Sequence, residues 1–455
     1  LKGIDPMINF NGTDFNKIYY DMLKYAYFHK GEYINSRVGE VKDLGPATFE
    51  ISEDNFRLIH LNNRAINPFF ALTEFSWIIE GSNELKPLQH YINNYHMFSD
   101  DGSTLNGAYG FRLKHYFKKD QIEEAIKQLK ERPNSRRVVL SMWSVDDLAA
   151  NSNDLPCNIS ILLKVRKDKL DITVLNRSND IFLGVPYNVF VFYLLQVYIA
   201  EQTGYQIGVQ RHFTDSLHLY KKHENVVREI VQNNNYDTIS FTKELNNAYK
   251  LNDFVGINHR AVLNREYKNI GNDELKNFFE VFENYKQGMC REKIIDLLPN
   301  NILGYISYKW IKHYEKLEIS ENKFYEIEKE IFTKTKPIYA IKFDTLKYYD
   351  TDDIIKDIKR FAELASSRYE KFYEVISKDE GLFILRPDDP LVDIKFLHTV
   401  GLSLVFADIY SVYSPDLRKN LIEKMQGICK LLNISIKDVL SLTLFEEEFL
   451  GLINE

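Results

Sequence analysis

Between about Asn9 and Lys222 the spacing of apolar positions changes repeatedly, whereas from about Asp273 onward it settles into a helical period. Four strands are legible in the first region. Arg137 to Trp143 is short and β-branched. Ile159 to Arg166 and Lys169 to Asn176 flank a Lys167–Asp168 turn, and Leu170, Ile172 and Val174 alternate with polar neighbours, so these two strands are expected to form a hairpin. Gly208 to Phe213 reads as a fourth. Asn188 to Thr203, with the unbroken run Val189 to Leu195, predicts a buried helix. A sheet with one face covered by such a helix makes an α+β domain.

In the later region, Asp273 to Gln287 places Leu275, Phe278, Phe279 and Phe282 on one face, with Asp273 as the N-cap. Asp352 to Val375, Leu391 to Val412, Pro415 to Leu432 and Ser435 to Leu452 read the same way. Asn233–Asn234–Asn235 and Gly271–Asn272 interrupt the pattern. The expected organisation is a catalytic domain over 9–230, a connecting region over 231–272, and a mostly α-helical C-terminal domain of unknown role over 273–455.

Composition narrows the class. The 455 residues are 44% hydrophobic and 27% charged, which excludes a mostly disordered chain. No apolar run approaches the roughly 18 residues of a membrane span, so no membrane association is expected. A net charge of -7 argues against a globally basic nucleic-acid binder. Cys157, Cys290 and Cys429 are too scattered for a zinc site or a disulfide framework, and a sparse, odd count fits a cytoplasmic location. No metal is expected. The stretch before Met7 lacks the apolar centre and small-residue cleavage site of a signal peptide, and is set aside from the fold.

Several short motifs could carry chemistry. Cys157 follows Pro156, which implies a fixed turn and so a thiol at an element end. Arg136, Arg137 and Arg177 are candidate neighbours whose positive charge would raise the thiolate fraction. A buried structural cysteine is the plainer alternative. Arg177–Ser178 after a strand suits a phosphate, as a planar fork plus a hydroxyl, although a surface Arg with a capping Ser fits equally. His218 and Tyr220 share a side if extended and could bind a sugar hydroxyl, or form a half-exposed aromatic strand. Asn188 could cap the helix that follows it. His313, His398, Cys290 and Cys429 read as ordinary structural residues.

Order and spacing are more specific than any one motif. Arg136–Arg137, Pro156–Cys157, Asn176–Arg177–Ser178–Asn179–Asp180, Gly184–Val185–Pro186–Tyr187–Asn188 and Asp215 to Tyr220 follow one another as in the thymidylate synthase family, including its pyrimidine-nucleotide hydroxymethylase branch. Arg37 in Asn35 to Gly39, Glu74 in Thr73 to Trp77 and Tyr109 in Asn106 to Gly110 extend the resemblance over roughly Asn9 to His223. It implies a thymidylate synthase-like α+β sheet-and-helix domain that forms a homodimer back to back through its sheet. Arg37, Arg177 and Ser178 would hold the nucleotide phosphate, and Arg136 and Arg137 would reach the partner's site. Cys157 would be the nucleophile at C6 of the pyrimidine, and C5 would then attack the one-carbon unit of the co-substrate 5,10-methylenetetrahydrofolate. Glu74 and Tyr109 would assist proton movements, Asp180 would contact the folate, and His218 and Tyr220 would bind the 3′-hydroxyl. Asn at position 188, where the cytosine-using branch has Asp, implies a uracil nucleotide, most simply dUMP.

Three features depart from thymidylate synthases. Asn158 stands where they usually have His, Met97–Phe98–Ser99–Asp100 replaces a Trp-containing stretch that shields the intermediate, and the usual short closing tail is not recognisable. Wetter chemistry is therefore expected, giving a 5-hydroxymethyl product, with reductive methylation to dTMP as the alternative. A catalytically silent nucleotide sensor is an alternative of another class, disfavoured by the retained Cys157, Glu74 and Tyr109. The region after Asp273 could extend the dimer interface, supply a lid or bind a partner.

Overall fold

The computed structural model describes residues 7–29, 33–52, 56–61, 63–232, 252–315 and 322–324 of a first compact unit that runs to Ile327. In a second unit, from Glu328 onward, it describes 339–342, 373–378, 382–387, 426, 429 and 430.

Among the described residues of the first unit, ten strands build two sheets. They are β1 (Ile8–Gly12), β2 (Tyr33–Ser36), β3 (Gly39–Asp43), β4 (Ala47–Ile51), β5 (Val138–Ser141), β6 (Asn158–Arg166), β7 (Lys169–Asn176), β8 (Asn179–Asp180), β9 (Gln206–Thr214) and β10 (Leu217–Tyr220). The larger sheet has the order β1-β4-β9-β7-β6-β5, with β1–β4 and β7–β9 parallel and the other pairs antiparallel. The smaller has the order β2-β3-β10-β8. The expected hairpin is present: Lys167 and Asp168 both take positive φ, the two-residue turn that matches strand twist.

Period-2 alternation divides the larger sheet into two faces. Ile161, Leu163, Ile172, Val174, Gln210 and His212 are buried on one side. The helix Gly184–Thr203 covers that side, and its run Val189 to Leu195 is buried throughout. This helix begins four residues before the expected start at Asn188, because Pro186 falls in its first turn, where a missing N–H costs nothing. Leu183 is the N-cap, so Asn188 does not cap the helix. On the other face Leu162, Thr173, Leu175, Val209 and Phe213 stay half-exposed, and Val139 is exposed.

Helices after residue 252 pack on this same core. His259–Asn264, Asp273–Lys286 and Ile302–Glu315 lie against the helix Pro68–Ile79. Phe69 stacks on Phe278 at 4.5 Å, with Phe282 at 5.0 Å and Trp310 at 6.0 Å. Ser76 Oγ meets His259 Nδ1 at 3.0 Å, and Lys309 Nζ donates to the His60 and Leu61 carbonyls. Leu275, Phe278, Phe279 and Phe282 form the buried face expected of Asp273 to Lys286. Its N-cap is Asn272, whose side chain accepts from Leu275 N, and not Asp273, which is the first helical residue. His313 is exposed on its helix, Cys290 is exposed and Cys429 is buried.

The second unit contains a three-stranded antiparallel sheet of β11 (Tyr339–Lys342), β12 (Tyr373–Lys378) and β13 (Leu382–Pro387), in the order β11-β13-β12. These strands fall within the region expected to be mostly helical, and Tyr373 to Val375 are strand where a helix end was expected. The remaining helical expectations over 352–372, 391–412 and 435–452, and His398, lie outside the described residues, as do 233–251. Of 415–432, residues 426, 429 and 430 are described, and they are helical.

Phe278 is fully buried against Phe69, so Phe278→Ala is expected to cost about 3–5 kcal/mol. Urea unfolding followed by Trp fluorescence checks this. A loss under 1 kcal/mol would mean that the later helices do not support the Pro68–Ile79 helix.

Candidate active site

The site forms where β6, the β7–β8 connection, β10 and the helices Pro68–Ile79 and Gly184–Thr203 converge. Cys157 immediately precedes β6. The β6–β7 register shifts between Asn158 and Ser160, and Met142 N and Trp143 N both donate to Ile159 O. Such a bulge bends a strand end and re-aims its side chains. Pro156 is buried behind the half-buried thiol.

Arg177 ties this corner together. Its backbone N–H donates to Cys157 O at 2.9 Å, Nε to Pro156 O at 3.0 Å and Nη2 to Leu155 O at 3.2 Å, and Nη2 reaches Cys157 Sγ at 3.8 Å. Its charge favours the thiolate, as expected, but does not win alone. Burial pushes the Cys157 thiol above its ordinary value, and the nearby Asp154 and Asp180 charges add to that rise. Arg136 and Arg137 are exposed ahead of β5, and neither guanidinium has a hydrogen-bond or ion-pair partner among the described residues. Within one chain, therefore, Arg177 is the member of the expected arginine set that reaches the sulfur.

The expected polar residues assemble around it. Ser178 Oγ meets His218 Nδ1 at 3.3 Å, and His218 and Tyr220 project from β10 with ring centroids 5.4 Å apart. Tyr220 lies close enough to Ser36, Arg37, Asp180 and Cys157 to feel each of them. Arg37, on the β2–β3 turn, points to the loop before the nucleophile, where it donates to Asn153 Oδ1 at 2.8 Å and Asn153 O at 2.7 Å. Asp180 is anchored through Oδ1 by Phe182 N, and burial raises its carboxyl against the pull of His218 and Arg64.

Asn188 belongs to a chain of amides. Its Nδ2 donates to Asn179 Oδ1 at 3.2 Å, and Asn158 Nδ2 approaches its Oδ1 at 3.5 Å. Asn158 also lies within hydrogen-bonding reach of the Tyr109 hydroxyl. Asn158 Oδ1 and Asn179 Nδ2 are buried with no partner among the described residues. Buried amide atoms left unpaired are costly, and a ligand that completes them gains by as much.

Glu74 sits mid-helix with Oε2 sealed and unpartnered, and burial pushes its carboxyl up to about 8. Tyr109 opens a short turn packed against the same helix. A side chain at Gly110 would collide with the Ile78 backbone, so glycine permits this approach. Burial holds the Tyr109 hydroxyl protonated, reinforced by the Cys157, Asp154 and Glu74 charges. Buried Arg112 fixes the surrounding loops through Asn106 O, Met142 O and both oxygens of Asp147.

The structure adds Asp154, Tyr95 and Tyr187 to the chamber. Tyr95 is shifted upward by burial and by the charges of Glu74 and Asp154. Tyr187 packs edge-on against Phe70 and accepts from Asn67 N. Asp154 lies only three residues before Cys157, and nothing else in the sequence marks it. In the segment that replaces the Trp-containing stretch, Met97 and Phe98 are exposed, and Asp100 accepts from Ser152 Oγ and Asn153 N. Among the described residues no helix is long and apolar enough to cross a membrane.

Folding favours the protonated form of Glu74, so stability falls as pH rises from the ordinary carboxyl range to about 8, then levels. Glu74→Gln is expected to stabilise the apoprotein, and more at pH 8 than at pH 5. Thermal midpoints at both values check this. An advantage that does not change with pH would contradict the sealed carboxyl.

The thymidylate synthase family model matches residues 17–269, more than half of the chain. The deoxyuridylate hydroxymethyltransferase of Pseudomonas phage M6 is 38% identical over 174 residues, 38% of this chain and 50% of that protein. The protein of the same name from Bacillus phage SP01 is 31% identical over 227 residues, 47% of this chain and 59% of that one. The chain thus spans between half and three-fifths of the length of these curated relatives. With more than half its residues under one family pattern, and the family's ordered motifs gathered around one thiol, the chain belongs to the thymidylate synthase family.

Proposed function

We propose that this chain is a transferase that adds a one-carbon unit from 5,10-methylenetetrahydrofolate to C5 of dUMP and releases a 5-hydroxymethyl product. One observation carries the reading. The Cys157 thiol has Arg177 at 3.8 Å, and the Tyr109 hydroxyl feels both that thiol and Glu74, whose carboxyl burial pushes up to about 8, while lying within reach of Asn158 in the amide chain through Asn188. The chemistry lies within 9–230.

In this reading the Arg177 charge lowers the cost of the thiolate as Cys157 adds to C6. Asn188 offers a donor to uracil O4 and an acceptor to N3–H, and Asn179 and Asn158 fix its orientation. Glu74, neutral near pH 7, holds a proton that it can pass toward the base, and Tyr109 takes part in removing the C5 proton. Arg37 and Ser178 receive the phosphate with Arg177, His218 and Tyr220 take the 3′-hydroxyl, and Asp180 faces the folate. The half-exposed sheet face with Val139, Leu162 and Phe213 is the proposed homodimer interface, across which Arg136 and Arg137 reach the partner's phosphate.

The exposed Met97–Phe98 segment and the names of the phage relatives support hydroxymethylation over methylation. Incubation with dUMP and methylenetetrahydrofolate, followed by mass analysis, is expected to give 5-hydroxymethyl-dUMP and tetrahydrofolate. Formation of dTMP with dihydrofolate absorbance would overturn it. In the same assay Asn188→Asp is expected to shift kcat/KM toward dCMP by about 10²-fold or more, because the wrong base leaves buried polar groups unpaired. No change in base preference would remove Asn188 from base recognition.

A further inference from the structure

We infer that Asp154 is the general base that draws a proton from the water adding to the exocyclic methylene, and so decides for the hydroxymethyl product. This rests on the proposed function.

Among the described residues three carboxyl groups lie around the thiol: Asp180, anchored through Oδ1 by Phe182 N, and Glu74 and Asp154, whose surroundings differ. Burial alone acts on Glu74, and its Oε2 is sealed and unpartnered. A carboxyl in that state holds its proton near neutral pH and cannot accept another. Burial also raises Asp154, but the Gly107 N–H and the Arg112 and Arg37 charges pull it back toward the carboxylate, while Asp100 opposes them. Gly107 N donates to Asp154 Oδ2 at 2.7 Å. Oδ1 takes no hydrogen bond among the described residues and is not sealed. A side chain at position 107 would stand 3.0 Å from that Oδ1, so glycine keeps the space beside it clear. The Asp154 charge is felt by Cys157, Tyr109 and Tyr95, so the carboxylate lies within electrostatic reach of the thiol. Paired carboxyls whose environments drive them apart commonly divide acid and base roles.

The position is also fixed from outside. Asp154 N donates to Ser152 Oγ, Ser152 Oγ and Asn153 N donate to Asp100, and Arg37 grips Asn153. The water-directing group is thus tied to the exposed 97–100 segment, the wall through which solvent would enter.

The step balances without an added oxidant or reductant. After tetrahydrofolate leaves, C5 carries a methylene conjugated to the C4 carbonyl. Water oxygen bonds to that carbon, its proton passes to Asp154, and the displaced electron pair goes into the ring as the C4 enolate. The enolate then restores the C5–C6 double bond and expels the Cys157 thiolate, and Asp154 returns its proton to solvent.

Asp154→Asn tests this in single turnover with dUMP tritiated at C5. Tritium release precedes hydration, so it is expected to stay within a few-fold of the parent, with dUMP affinity retained. Hydroxymethyl product should fall ~10²–10⁴-fold, with a rising share of dTMP or of trapped covalent adduct. Asp154→Ala with added formate should recover hydroxymethyl formation. Unchanged hydroxymethyl formation in Asp154→Asn overturns the inference. So does an equal loss of tritium release, which would make Asp154 a support for the Gly107 turn. If Asp154→Asn does not fold, Asp154→Ala that folds but shows no formate rescue overturns it as well. A parent enzyme that makes dTMP alone would instead defeat the proposed function.

Discussion

The thiol proposed as the nucleophile, which would have to ionise to react, is held where burial disfavours its charge. Cys157 owes that position to backbone features: Pro156 behind it, the bulge ahead of it, and the Arg177 hydrogen bonds to the carbonyls of residues 155 to 157. The same guanidinium is the charge that favours the thiolate. Geometry and reactivity are thus linked through one side chain. Moving Arg177 would free the loop and remove the counter-charge together. Asp154 and Asp180 work against the thiolate, so the resting site leans toward the neutral thiol.

The helices beyond residue 252 are part of this balance. They bury the Pro68–Ile79 helix from behind through Phe69, Phe75 and Ser76, while its Glu74 lies within electrostatic reach of Tyr95 and Tyr109. Burial pushes the Glu74 carboxyl up to about 8, and its Oε2 has no hydrogen-bond partner among the described residues. A buried, unpaired acid costs stability that a merely structural helix would not carry, and such costs concentrate at functional sites. A second polar line, from Tyr91 through Tyr267 to Glu283 and His90, fastens Asp273–Lys286 to the segment after that helix. The sequence left three uses open for the region after Asp273. Its packing adds a fourth, support for the helix that carries the acid.

The β6–β7 hairpin, the buried central helix and the apolar face of Asp273–Lys286 were readable because each follows a clean period. The strands β1 to β4 were not read, since each is four or five residues long, and β1, β3 and β4 pair with partners distant in sequence, such as β4 against β9. The site residues came from the resemblance to the thymidylate synthase family, which the order and spacing of the motifs made visible. Electrostatic balance did not. Three arginines nearby in sequence suggested an activated thiol, but two of them are exposed and without a partner among the described residues, and burial outweighs the third. Asp154 was missed for the same reason: a lone aspartate before a proline turn owes its hydrogen bond to Gly107 and its electrostatic setting to Arg112, neither of them adjacent in sequence.

In the proposed reaction, nucleophilic attack by Cys157 is the step from which the rest of the chemistry follows. Incubation with 5-fluoro-dUMP and methylenetetrahydrofolate, then proteolysis and mass spectrometry, reads that step directly. The account predicts a stable adduct of protein, nucleotide and folate on the peptide that contains Cys157, absent from Cys157→Ser. A folded protein that binds the fluorinated nucleotide but forms no adduct, or forms it on another residue, would contradict it.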